Sequence, residues 1–296
     1  VVIISLTQYS DSPANTKYLE IGSINLPGNI NANSLYIVSD KAYILGSDSY
    51  LYIYDITNRA HAYGTGDYSG RVAISGSGKK ILVNGSYAYV VTSAATNQFQ
   101  IVSISNPSSP SISGQRTLGS SQAGVDVYVS TQAANPTRAY VAIGLSGTNT
   151  NFFVVDITTK TNPVVIPNYQ GYYTNGMTPK GVSITTGNRA LIVGTGGSEQ
   201  YQVVTLDTET TPTRCAGLAY ATGVNGVASV LQNNGYAYSY IITGDATSEL
   251  KIILGGAGGQ FSSSGTFESA TFDTMSENIS EAAFNRFVAT VASPSA

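Results

Sequence analysis

The sequence predicts an all-β fold, specifically a β-propeller whose blades are four-stranded antiparallel sheets. A pattern of apolar strand, short polar loop and second apolar strand recurs along the 296 residues, marked by Ala42, Ala88, Ala139, Ala190 and Ala237. A repeat of roughly 50 residues that holds several short strands is typical of propellers. The 31 Gly and 21 Tyr, without any Trp, suit strands joined by tight turns. Five blades are favoured, with six as the alternative.

The propeller is expected to span residues 17–273, after a leader of residues 1–16 and before a C-terminal extension of residues 274–296. Residues 17–26 alternate in polarity and end at Pro27-Gly28, which predicts a strand followed by a turn. This strand precedes the first full repeat and therefore has no blade of its own. We expect it to complete the last blade as a clasp between the N- and C-termini, because an open series exposes sheet edges.

The leader begins with the apolar run of residues 1–6, which is too short to cross a bilayer. An edge strand is one interpretation. The other is the end of a membrane helix or pilin-like helix whose upstream part is missing from this chain. Contact with a membrane is expected only through such a missing segment.

Each repeat is predicted to supply three or four strands. In the first repeat, Ser34–Val38 is the inner strand, Ala42–Leu45 the second, Leu51–Tyr54 the third, and the segment near Ala62–Gly66 a weak fourth. In the tail, residues 265–273 alternate and predict one more strand. Residues 279–291 fit either a helix or a strand, and the strand is favoured by the Val and Thr content.

An acidic or hydroxyl residue follows the third strand of four repeats, namely Asp55, Ser103, Asp156 and Asp207. Carboxylates at one repeat position could form a site. The favoured interpretation is structural, since Asp hydrogen-bonds the backbone of a following turn and Ser does so less strongly.

The sequence points to no catalytic, cofactor or metal residue. His61 and Cys215 are the single histidine and cysteine, so a Ser-His-Asp arrangement would depend on His61, and zinc would lack its usual ligands. Calcium is the one cofactor left open, through acidic turns such as Asp48 and Asp245. The net charge of −3 and the absence of a basic cluster predict no nucleic-acid partner.

Tyrosines near loops are the candidate binding residues, because a tyrosine presents both an apolar ring and a polar tip to sugars or proteins. The rim candidates are Tyr50, Tyr63, Tyr68, Tyr172, Tyr173 and Tyr220.

The chain resembles the LVIVD-repeat β-propellers of bacterial and archaeal surface proteins over roughly residues 17–273. The resemblance is carried by residues 88–91 (Ala-Tyr-Val-Val), 139–142 (Ala-Tyr-Val-Ala), 154–157 (Val-Val-Asp-Ile) and 104–110. It implies a propeller displayed outside the cell and specifies no activity. The leader has a weaker similarity to a type IV pilin-like segment.

We therefore expect an extracellular or cell-surface protein for display or adhesion. It would bind cell-surface or extracellular proteins or glycans through propeller rim loops, without chemistry. The low count of Lys and Arg, 14 together, suits an environment rich in proteases. The alternatives are an extracellular carbohydrate-active enzyme, a glycosidase or lyase, whose axial pocket would hold two carboxylates, and a self-assembling pilin-like filament subunit.

Overall fold

Strands are the only regular elements of the described chain. The computed structural model describes residues 2–5, 19–119, 122–144, 150–185, 188–231 and 237–254. These belong to one structural unit, Val1–Gly258, and a second unit comprises Gly259–Ala296. The strand predicted at residues 265–273 and the C-terminal extension 274–296 lie outside the described residues. No described segment forms an apolar helix of membrane-spanning length.

The strands occur in groups that follow the sequence repeats. Before the repeats lie β1 (Val2–Ser5) and β2 (Leu19–Ile24). The first repeat contains β3 (Ala32–Val38), β4 (Lys41–Gly46), β5 (Tyr50–Asp55), β6 (Ala62–Tyr63) and β7 (Tyr68–Ala73). The second contains β8 (Gly78–Asn84), β9 (Tyr87–Thr92), β10 (Phe99–Ser103) and β11 (Ser111–Arg116). The third contains β12 (Gly124–Val129), β13 (Arg138–Ile143), β14 (Phe152–Asp156) and β15 (Val164–Val165). The fourth contains β16 (Thr178–Thr185), β17 (Arg189–Thr195), β18 (Tyr201–Thr205) and β19 (Thr213–Leu218). The fifth contains β20 (Val224–Leu231), β21 (Ala237–Thr243) and β22 (Leu250–Leu254).

Each repeat forms its own antiparallel sheet with its strands in chain order. The sheets are β3-β4-β5-β7, β8-β9-β10-β11, β12-β13-β14-β15, β16-β17-β18-β19 and β20-β21-β22. Four of these five sheets have four strands within the described ranges. The all-β propeller prediction is confirmed, with each sheet as a blade. The number of blades in the whole protein stays a prediction.

The second and third strands of the first four blades are largely buried on both faces, so they read as continuous apolar runs. In β4, for example, every residue from Ala42 to Gly46 is buried. The turn between first and second strands holds a residue with positive φ, such as Ser39 (51°), Gly85 (57°) or Asn188 (52°). Glycine and asparagine tolerate this conformation at low cost, which is why they recur there.

The core lies between the faces of neighbouring blades. Leu45 and Ile53 of the first blade pack in one cluster with Ile81 of the second. The same arrangement joins the second blade to the third, the third to the fourth and the fourth to the fifth. Apolar side chains thus hold consecutive blades together. The first blade exposes Leu35 and Ile37, and the last exposes Ile242, Leu250 and Ile252.

The N-terminal strands correct two predictions. β2 pairs antiparallel with β1 and parallel with β6, so both of its edges are occupied and it does not join the last described blade, β20-β21-β22, as a clasp. β6 therefore belongs to this small sheet, and the fourth strand of the first blade is β7 instead of Ala62–Gly66. Val2–Ser5 forms a strand, as the edge-strand interpretation of the leader expects, and residues 6–16 of the leader lie outside the described residues.

Replacing Val155 with Asp should abolish cooperative folding. The Val155 side chain has no exposed surface and packs between the second and third blades, so the new carboxylate would be buried without a partner. We expect a loss of about 4 kcal/mol or more in the free energy of unfolding. Chemical denaturation followed by circular dichroism measures it. Ser111→Asp, on the exposed outer strand β11, is the control. Equal stability of both variants would contradict the packing described above.

Candidate binding site

Every inner strand of the five blades carries a β-bulge near its beginning. In β8, Gly78 pairs with Thr92 and Lys80 with Val91, which leaves Lys79 between them without a partner in the ladder. The same one-residue shift occurs in β3, β12, β16 and β20. The five unpaired residues, called here the bulge residues, are Asn33, Lys79, Val125, Lys180 and Asn225. Bulges re-aim side chains and are frequent beside functional sites.

All five bulge residues line a single opening, which we call the axial opening because it touches the beginnings of all five inner strands. Its volume is about 520 Å³. Four of the five bulge residues are followed by a second lining residue, namely Ser34, Lys80, Asp126 and Gly226. An opening of this size is in the range of small-molecule sites, roughly 300–1,000 Å³.

The axial opening is rich in cations for a protein with net charge −3. It is lined by Lys79, Lys80 and Lys180, and by one carboxylate, Asp126. Lys79 and Lys180 are exposed, and neither side-chain ammonium group forms an ion pair or hydrogen bond with a residue that the structure describes. Lys80 Nζ lies 3.7 Å from Asp126 Oδ1.

Asp126 is the buried acid of this site, and its oxygens are engaged by backbone groups. The Val127 N–H donates to Oδ1 and the Val182 N–H of β16 donates to Oδ2, each at 2.9 Å. Burial raises the pKa of the Asp126 carboxyl, while the nearby Lys80 ammonium and the two backbone N–H groups oppose that rise. Asp126 therefore connects three consecutive inner strands and is a structural group as well as a lining group.

The remaining wall of the axial opening is apolar. Tyr240 and Ile242 of β21 and Leu250 of β22 line it, and both aliphatic side chains are exposed. The opening thus combines amides, ammonium groups and an apolar surface.

A second cavity, of about 490 Å³, lies where the inner strands end, and its charge is neutralised. Arg138 in its wall donates to Glu209 at 2.8 Å and to Asp156 at 3.1 Å. Tyr140 also donates to Glu209. Since these polar groups satisfy one another, the axial opening is the better candidate for ligand binding.

The predicted rim tyrosines are mostly packed. Tyr50, Tyr63 and Tyr68 are half-buried around Tyr52 and Tyr54, and the Arg71 guanidinium lies over the rings of Tyr50 and Tyr68. Tyr172 is buried and donates to Gln202, and Tyr220 packs against the core between the fourth and fifth blades. Tyr173 alone among the six is exposed, beside a groove that contains Glu199 and Arg214. Binding through these tyrosines stays a prediction.

The acidic residues after the third strands make turn contacts and cross-strand ion pairs. Asp55 and Asp156 accept hydrogen bonds from the Thr57 and Thr158 backbone N–H groups. Lys41–Asp55 and Arg138–Asp156 are ion pairs between the start of a second strand and the end of a third. Arg189 pairs with Asp207, which lies two residues beyond β18, and Thr205 stands opposite Arg189 instead, so Asp207 does not share the repeat position of Asp55 and Asp156. Hydrogen bonds from Lys41 and Thr57 lower the pKa of Asp55. In the second blade both partners change together, to Tyr87 opposite Ser103.

The described residues contain no group of three or more His, Cys, Asp or Glu side chains arranged to hold a metal ion. His61 is exposed, packs edge-on against the Tyr63 ring, and has its Nε2 3.9 Å from Asp67.

Sequence reasoning missed the axial opening. Its polar residues stand at the beginnings of strands, where periodicity assigns them to loops. The available signal was a small or polar residue pair at the start of four of the five apolar inner strands, such as Asn33-Ser34 and Lys79-Lys80.

Residues 75–117 match the LVIVD repeat, which confirms the resemblance for that segment. The matched segment contains the whole second blade, from Gly78 to Arg116. No curated protein matches the chain.

Two solved structures are similar in shape. One is the computationally designed Ika4 protein, at 12% identity and a TM-score of 0.43, covering 62% of this chain and 96% of that chain. The other is the β-propeller domain of Cps50 (Swd1) from Myceliophteria thermophila, at 10% identity and a TM-score of 0.48, covering 78% of this chain and 73% of that chain. At these scores neither supports a statement about function.

Asp126 should make stability depend on pH. Its pKa is raised in the folded protein, so its contribution to stability is present below the unfolded pKa of about 4 and is lost as pH rises through the folded pKa. Asp126→Asn cannot titrate and also leaves one backbone N–H facing an amide donor, at a cost of about 1–3 kcal/mol. The difference in unfolding free energy between the native protein and Asp126→Asn should therefore fall as the pH is raised from about 4 through the folded pKa of Asp126. Parallel pH profiles of the two proteins would refute this assignment.

Proposed function

We propose that this protein is a binding β-propeller displayed outside the cell, that it holds its ligand at the axial opening, and that it performs no chemistry on it. The observation that carries the proposal is the set of five bulge residues directed to one opening. A bulge changes the direction in which its residue's side chain points, and these five side chains all line the same opening.

The composition of the opening favours binding over glycoside hydrolysis. Hydrolysis normally needs two carboxyl groups about 5–10 Å apart. Among the described lining residues, Asp126 is the one carboxylate, and backbone N–H groups already occupy both of its oxygens. A general acid or nucleophile in that position would lack its partner.

An extracellular location is supported by composition and by the LVIVD repeat at residues 75–117. The chain has 10% charged residues, well below the roughly 25% of ordinary soluble domains. Polar uncharged side chains and tight turns supply the surface instead. The proposed partners are proteins or glycans at the cell surface, and the groove at Tyr173 is the candidate for a second, rim contact.

Blocking the axial opening should abolish binding of the purified protein to the envelope polysaccharide of its source organism. Asn225→Trp puts a large ring at an exposed bulge position, where it fills the opening without removing a described hydrogen bond. We expect at least a tenfold loss of affinity, measured by surface plasmon resonance. Ser111→Trp on the outer strand β11 is the matched control and should bind normally.

Two further results bear on the same proposal. If Tyr173→Ala abolishes binding while Asn225→Trp does not, the site lies on the rim and the axial assignment is wrong. Antibody labelling of intact cells should detect the protein at the surface, and labelling only after permeabilisation would contradict extracellular display.

A further inference from the structure

We propose that the ligand of the axial opening is an anionic sugar, one that carries a carboxylate or sulfate group on a hydroxylated ring. This inference rests on the proposed function, since it names the substrate class of the same site.

The lysines of the axial opening differ from the other lysines in their partners. Lys41 and Lys251 are paired with Asp55 and Asp245, and Lys160 donates to two backbone carbonyls. Lys79 and Lys180, by contrast, have no acidic or hydrogen-bonding partner within the described ranges, although the chain as a whole is acidic. Two ammonium groups held beside one cavity, with Lys80 only partly balanced by Asp126, attract an anion.

The side-chain amides of Asn33 and Asn225 supply hydrogen-bonding groups for the hydroxyl groups of a sugar. Asn225 is exposed and presents both a carbonyl acceptor and an NH₂ donor. The Asn33 NH₂ is used by Ser77 Oγ at 2.8 Å and the Gly78 carbonyl at 3.0 Å, so Asn33 offers its oxygen as an acceptor. A hydroxyl both donates and accepts, and can therefore bond to either amide.

The apolar wall matches the face of a sugar ring. Tyr240, Ile242 and Leu250 form one side of the opening, opposite in character to the lysines. An inorganic anion would leave this surface in water, whereas the C–H face of a ring would cover it. The volume of about 520 Å³ also exceeds the needs of a small ion.

Isothermal titration with defined trisaccharides tests the inference. The probes are trigalacturonate, a sulfated trisaccharide and a neutral glucose trisaccharide. We expect the acidic probes to bind at least tenfold more tightly than the neutral probe, and their affinity to fall with added salt because exposed charges are screened. Either acidic probe supports the inference, and the stronger one identifies the anionic group.

The lysine variants locate the anion. Lys79→Gln and Lys180→Gln should each lower affinity for the acidic probe about tenfold, as expected for a lost charge-assisted hydrogen bond. Lys41→Gln makes the same change of charge at the far end of the first blade and should have no effect. Val125→Lys adds an ammonium group at a bulge position and should raise affinity and steepen the salt dependence.

Several outcomes would overturn the inference. They are equal affinity for neutral and acidic probes, affinity that is insensitive to Lys79→Gln and Lys180→Gln, or binding of an acidic peptide in preference to every sugar. If no probe sugar binds but the envelope polysaccharide still binds in a manner abolished by Asn225→Trp, the anionic-sugar inference fails and the proposed function stands. If Asn225→Trp leaves that binding unchanged as well, both fail.

Discussion

Contact between the faces of neighbouring blades is the constraint on which the rest of this structure depends. The described parts of the five sheets share no backbone ladder with one another, so most contacts between them are made by side chains. Apolar residues such as Leu45 and Ile81 bury their surface in these seams. A few polar side chains fix the orientation of one blade against the next. Ser34 Oγ accepts a hydrogen bond from the Ile81 N–H, and the Asp126 carboxylate accepts one from the Val182 N–H. Without this packing each blade would be an isolated, marginal sheet.

The axial opening is a consequence of the same packing. An inner strand can lie close to the preceding blade where its first residue is small, since an added Cβ at Gly78 of β8 would meet the Leu45 side chain of β4 at 2.5 Å. Each inner strand then carries one extra residue that the ladder cannot pair. The polar side chains are therefore presented by rigid strands, which hold them more accurately than loops would.

The blades could be predicted from sequence because strands that are buried on both faces consist of continuous apolar residues, such as the runs around Ala42 and Ala88. The pairing of β2 with β6 could not be predicted, because the alternating polarity of an isolated strand does not indicate which strand it pairs with. The bulges were also hidden. A bulge adds one residue between two paired positions, and Lys79 or Asn225 looks the same in a loop as in a bulge. Exposure of a tyrosine is likewise a tertiary property, which separates Tyr173 from Tyr172.

The bulges also separate selection for stable folding from selection for ligand binding, which usually compete at one position. A residue outside the ladder and outside the apolar seams can vary with little effect on folding, so mutation can sample different chemistries there while the blades stay constant. Asn, Lys and Val already occupy equivalent positions in this one chain. Gene duplication of a blade would therefore supply new recognition surfaces at low risk, and a combinatorial library at the same five positions would offer protein engineers a ready scaffold for selecting new binders.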